Sequence, residues 1–215
     1  MSRDTTEAPE TQIVHEPPRP EPPRMTFEEY LALGDERKMS EWVDGEVIFM
    51  SPTARRHQEL ITFLVKVLGL FVDVHKSGVL LPAPFAMKLE AARRGREPDL
   101  LFVSEERQHL IEKTYLNGPA DLAVEIMSPE SIGRDRGEKF VEYEQSGIRE
   151  YWLIDPDREA AEFYELGADG RYRAAQTEPE GVYRSKVVEG FFLRVAWLWQ
   201  EPSPTLDALR ELKLF

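Results

Sequence analysis

No cysteine occurs among the 215 residues, and that absence removes disulfide frameworks, thiolate-held zinc and cysteine nucleophiles together. A reducing, cytoplasmic setting suits such a chain. Long apolar runs are missing too. The best candidate, Leu60 to Val72, is broken by Lys66 and falls short of the about 18 residues that a membrane span needs, so no membrane association is expected. Met1 to Glu10 lacks the basic and apolar regions of a signal peptide. Positive charge is scarce: 27 Lys and Arg stand against 40 Asp and Glu, a net charge of −13. Proteins that coat nucleic acid carry basic faces that displace counterions, so contact with a polyanion here has to be local. There is no Gly-Lys pair for a P-loop, no His-Glu-x-x-His and no glycine-flanked serine elbow, which excludes those chemistries.

At 41% hydrophobic residues, the chain can still bury a real core. Residues 1–24 hold six of the 16 prolines and no aromatic side chain, so they read as a disordered acidic tail, with one domain spanning 25–215. Thr26 and Glu29 have capping-box spacing ahead of Phe27, Tyr30 and Leu31, which predicts a short helix ending near Gly34. Asp44-Gly45 predicts a two-residue turn between strands Glu41–Val43 and Glu46–Met50. A long helix follows, buried on most sides, with Leu70 among its apolar positions. Strands are predicted over Val79–Leu89, Asp99–Val103 and Leu122–Met127, the last a nearly continuous apolar run typical of a central strand. Ser131–Ser146 reads as an exposed helix stopped by Gly147, and Tyr151–Ile154 as a buried strand. The remainder is β-rich, with a last helix from about Thr205 to Leu212.

Two carboxylates stand out against this pattern, since Asp99 opens one strand and Glu125 interrupts another. Burying either charge alone is costly. Two acids on neighbouring strands repel, and either salt bridges or a shared divalent cation reconciles them. Ser128 follows the Glu125 strand without flanking glycines, so it reads as a cap for the turn before Pro129. Glu46, beside the hairpin turn, is unremarkable alone. His57 opens the long helix, while His15, His75 and His109 lack motif context. Arg55, Arg56, Arg93, Arg94, Arg96, Arg134, Arg136 and Lys139 cluster in sequence near the acids, which suggests either a basic rim for a polyanion or ordinary solvated loops.

Asp44-Gly45-Glu46, His57, Pro98-Asp99, Val124-Glu125-Ile126-Met127-Ser128-Pro129, Lys139, Tyr143 and Gly147-Ile148-Arg149-Glu150-Tyr151-Trp152, in this order, resemble the Uma2 family of the PD-(D/E)XK nuclease-like superfamily. The resemblance spans about residues 25–200. It implies an α/β fold: a restriction endonuclease-like core, a mixed β-sheet flanked by helices, here with a β-rich C-terminal extension. It further implies a Mg²⁺-dependent endonuclease, with Mn²⁺ as a substitute, acting on nucleic acid, DNA ahead of RNA. Asp99 and Glu125 would be the metal ligands, joined by the Ile126 carbonyl. Glu46 would be a further catalytic acid, with His57 and Tyr143 supporting the site from behind. Where the superfamily places lysine two residues after the strand glutamate, this chain has Met127, and the resemblance moves that role to Lys139. A homodimer is expected if both strands of a duplex are cut. The rival expectation is a nuclease-fold binding or regulatory protein without useful turnover.

Overall fold

A computed structural model of the chain describes residues 24–33, 40–50 and 53–215. The expected tail, apart from Arg24, and the expected helix stop at Gly34 lie outside the described residues. The capping box forms as its spacing requires: the Glu29 N–H donates to Thr26 Oγ1 at 3.1 Å and the Thr26 N–H to Glu29 Oε2 at 2.7 Å, opening α1 (Phe27–Ala32). Strands β1 (Ser40–Val43) and β2 (Glu46–Phe49) pair across Asp44 and Gly45, whose φ angles of 50° and 94° are those of the tight turn that this dipeptide tolerates. Next, α2 (Arg55–Leu64), a π-helical turn (Val65–Gly69) and α3 (Leu70–His75) form one continuous rod. Its buried stripe is one-sided, contrary to expectation, since Leu70 and Val74 are exposed.

Strands β3 (Gly78–Pro82) and β4 (Ala86–Leu89) follow. The single strand expected over Val79–Leu89 is therefore divided at Ala83-Pro84-Phe85, and its halves enter different sheets. Strand β5 (Arg94–Arg96), which sequence periodicity does not reveal, leads into β6 (Leu100–Ser104), a 3₁₀ turn (Glu105–Leu110), β7 (Tyr115–Leu116) and β8 (Leu122–Ile126). A helix in three parts comes next: α4 (Ile132–Arg134), a π-helical turn (Asp135–Lys139) and α5 (Phe140–Ser146), terminated by Gly147 at φ 83°. The chain ends with β9 (Glu150–Asp155), β10 (Ala160–Leu166), β11 (Tyr172–Ala174), β12 (Val182–Arg184), β13 (Phe192–Arg194), α6 (Val195–Leu198) and α7 (Thr205–Glu211). The C-terminal portion is β-rich, as expected: β10 and β11 extend the main sheet as a meander, and β12–β13 form a separate hairpin.

One sheet has the order β2-β1-β5-β4-β7, the other β11-β10-β9-β8-β6-β3. In the larger sheet β8 and β9 run parallel while β6 and β8 run antiparallel, so the sheet is mixed. Strand alternation sends Leu100, Phe102, Val124, Ile126, Trp152 and Ile154 to one face, against Leu60, Leu64, Leu68 and the β12–β13 hairpin. Leu101, Val103, Ala123, Met127, Tyr151 and Leu153 face the other way, under Tyr143 and Ile148. Each such aliphatic or aromatic side chain contributes on the order of 1.5–3 kcal/mol on burial. Both faces are covered, which is why β8 reads as an almost unbroken apolar run. The Ser131–Ser146 helix is not the exposed element its charges suggested, because Asp135, Lys139, Glu142 and Tyr143 are buried beneath it. Among the described residues, no helix is long and apolar enough to cross a membrane.

Candidate active site

Between β5 and β6 the chain leaves the smaller sheet and joins the larger within three residues, Glu97-Pro98-Asp99. Asp99 thus sits where the two sheets meet. Leu100 pairs with Val124 across β6 and β8, so Glu125 lies on the adjacent strand close to Asp99. Asp99 is held firmly: its Oδ2 accepts the Ile126 N–H at 2.7 Å, and its Oδ1 is 2.9 Å from His57 Nε2. The carboxylate partner fixes a proton on Nε2. The other ring nitrogen, His57 Nδ1, is buried with no hydrogen bond.

Glu125 shares a strand face with Ala123 and Met127, and the helix covering that face supplies its partners. Lys139 Nζ and the Tyr143 hydroxyl each donate to Glu125 Oε1 at 2.8 Å. The same ammonium reaches Glu41 Oε1 at 2.9 Å and Asp135 Oδ1 at 3.3 Å. Glu41, on β1, also accepts from Arg96 Nη1 at 2.6 Å. Arg96 in turn grips Glu142 through Nε at 2.8 Å and Nη2 at 2.9 Å. Arg94 reaches that carboxylate at 2.7 Å and the hairpin residue Asp44 at 2.6 Å. A chain of alternating charges therefore runs from the hairpin turn to the centre of the site.

These charges do not balance evenly. Burial raises the Glu125 carboxyl, Lys139 pulls it down, and Asp135, Asp99 and Glu41 push it up again, which together leave it at about 8. Burial favours loss of the Lys139 proton, yet Glu125, Glu41 and Asp135 outweigh burial and hold the ammonium charged. Burial also opposes the charge on Glu41, but Lys139 and Arg96 overcome it and depress that carboxyl below its usual value. Glu41 thus stays ionised, and Glu125 is the acid short of positive charge. A hard cation answers that shortage with the oxygen ligands it prefers.

The cleft around these groups has a volume of about 310 Å³ and is lined by Glu41, His57, Asp99, Glu125, Arg134 and Lys139, among others. Of the site residues read from sequence, Asp99, Glu125, Lys139 and His57 line it together, with Tyr143 bonded to Glu125 from behind. Glu46 is not brought there: it is exposed on β2, beside the turn. The acid that β1 delivers is Glu41, and Glu97 and Asp135 also reach the cleft. Sequence reasoning missed these three. Asp135 left one usable signal, its four-residue helical spacing from Lys139. Ser131, not Ser128, supplies the capping hydroxyl, accepting the Ser128 N–H at 2.9 Å.

The expected basic rim is largely spent on ion pairs. Arg96 is wholly buried, Arg94 joins Asp44 and Glu142, and Arg136 joins Glu162. Of the eight cations named from sequence, only Arg134 and Lys139 line the cleft. Among the described residues, no group of three or more acids and histidines converges to cage a metal by itself. Two carboxylates suit Mg²⁺ nonetheless, because that ion keeps several waters and takes oxygens from its substrate.

Comparison with known proteins bears on this arrangement. The model of the Uma2 family, described as "Putative restriction endonuclease", matches residues 27–196. Among solved structures, the chain is similar to a "putative nuclease belonging to DUF820" from Anabaena variabilis ATCC 29413, with 19% identity and a TM-score of 0.67 over 81% of this chain and 97% of that one. That likeness carries the fold, a restriction endonuclease-like α/β core. No curated protein matches.

Proposed function

Because the chain belongs to the Uma2 family, we propose that it is a metal-dependent endonuclease hydrolysing phosphodiester bonds of nucleic acid, with DNA as substrate. The observation that carries this reading is the Lys139 ammonium, 2.8 Å from Glu125 in the cleft that also contains Asp99. It replaces from a helix the cation that Met127 cannot supply from the strand. Asp99, Glu125 and the Ile126 carbonyl would hold Mg²⁺, or Mn²⁺ in its place, which supplies Lewis-acid polarisation of the phosphate and acidifies water.

The chain's own groups divide the remaining work. His57 and the Ile126 N–H fix the orientation of Asp99. Tyr143 does the same for Glu125. In hydrolysis a water oxygen bonds to phosphorus, the phosphorus–oxygen bond to the leaving sugar breaks, and negative charge builds on the phosphoryl oxygens. Lys139, buried and kept charged by its acids, would stabilise that charge.

Supercoiled plasmid, single-stranded DNA and RNA incubated with Mg²⁺ or with EDTA provide the test. Cleavage should require the metal and disappear in Glu125→Gln, which excludes a contaminating nuclease. Metal-independent cleavage, or cleavage surviving in Glu125→Gln, would defeat the proposal. The rival, a binding protein without turnover, draws support from Asp99, both of whose oxygens are already engaged within the protein. It predicts nucleic-acid binding with no product under any of these conditions.

A further inference from the structure

The mouth of the cleft is built differently from its floor. Phe49, at the end of edge strand β2, lines the mouth and is 60% exposed. Met50 follows it, with Sδ 3.4 Å from Arg134 Nη2. Arg134 is the cleft cation least bound by the protein: its Nε has no hydrogen bond, and its contact with Glu41 is 3.8 Å long. Lys139 is shared by three carboxylates, and acidic Glu130 also lines this opening.

A duplex-binding protein draws its grip from several Lys or Arg contacts to backbone phosphates. This protein has a net charge of −13 and has committed Arg94, Arg96 and Arg136 to internal ion pairs. One loosely held guanidinium does not grip a duplex. An exposed ring offers what the cations cannot, a stacking platform that every base fits but only an unstacked base can use. We infer that the cleft mouth is a nucleotide subsite for an unpaired strand, Phe49 stacking on a base while Arg134 binds the adjoining phosphate. This inference rests on the nucleic-acid reading and narrows it to single-stranded DNA, or single-stranded ends and flaps, whose one backbone calls for one active site.

The test uses the full chain in Ca²⁺, a hard cation for the same oxygen ligands, and measures anisotropy of a short fluorescein-labelled strand, alone and annealed to its complement. The wild type should prefer the single strand. Phe49→Ala should weaken single-strand binding about tenfold, as loss of one base–aromatic stack predicts, and leave duplex binding unchanged. Phe49→Trp should restore it. Arg134→Gln should weaken single-strand binding and lower its salt slope by about one. Because Phe49 is exposed, its variants should melt with the wild type, which excludes misfolding as the cause. Equal or tighter duplex binding, or an unaffected Phe49→Ala, would overturn the inference while plasmid cleavage still upheld the nuclease reading. Failure of the wild type to bind either form would overturn both.

Discussion

Replacing Lys139 with methionine tests the charge arrangement most directly. The substitution keeps side-chain length and helix propensity while deleting the ammonium. On a solvated helix face such a change would fall within about ±0.5 kcal/mol. Lys139 is instead 3% exposed and within 3.3 Å of three carboxylates. Glu41 keeps Arg96, but Glu125 and Asp135 lose their nearest cation. Removing one partner of a buried ion pair costs about 3–5 kcal/mol. In a chain of this size each kcal/mol moves the melting temperature by about 2–4 °C, so the variant should melt about 6–20 °C below wild type near neutral pH. The deficit should widen as pH rises through about 8, because wild-type Glu125 ionises there beside Lys139 while the variant has no cation to stabilise that charge. Circular-dichroism melts at about pH 8 and about pH 5.5 would read both effects. Cleavage, in the fraction that remains folded, should fall by about 10² or more. A variant melting with the wild type would mean that the ammonium does not neutralise these acids, and the site's electrostatics would need redrawing.

Other perturbations probe the site and its frame. The Glu125 carboxyl, raised to about 8 in the folded protein, binds a proton there that the unfolded chain has released above about pH 4.3. Stability without metal should therefore fall as pH rises from about 4.3 to about 8, by up to about 1.4 kcal/mol per pH unit; a flat profile in denaturant titrations would contradict this. Mg²⁺ should raise the melting temperature through binding to the folded state, and Asp99→Asn should abolish that rise; an unchanged rise would remove Asp99 from the ligands. Glu41→Gln should cost about 3–5 kcal/mol by leaving Arg96 and Lys139 short of a carboxylate, whereas exposed Glu46→Gln should stay within about ±0.5 kcal/mol, with equal denaturation midpoints counting against the distinction. Gly95→Ala would set a Cβ 2.5 Å from the Phe27 ring and should cost about 1–3 kcal/mol in the same titrations, with no loss if the ring moves freely.

The features legible in the sequence are those specified locally. A capping box, an Asp-Gly turn, a helix-ending glycine and an apolar strand need only near neighbours to form. Strand β5 was illegible because Arg94-Gly95-Arg96 has no apolar periodicity; its burial is made possible by carboxylates 46 and 55 residues away in sequence. The same remoteness hid the burial of Lys139, named as a site residue by resemblance but solvated to all appearance on a charged helix until Glu125 and Glu41 were brought to it. Glu41 and Glu46 look alike in sequence, each opening a short strand on one side of the same turn. Only the pairing of β1 between β2 and β5 buries Glu41, while edge strand β2 leaves Glu46 in water.

The route of the ion chain has a mechanical consequence. Glu41 and Arg96 ride on the smaller sheet, while Glu125 and the helix carrying Lys139 and Glu142 belong with the larger one. The two sheets cannot swing apart as a jaw without drawing Lys139 away from Glu41 or Arg96 away from Glu142, and either rupture strands charge in a dry interior. The opening is therefore a fixed slot: what enters it conforms to the protein, which pays no reorganisation cost at the moment of contact.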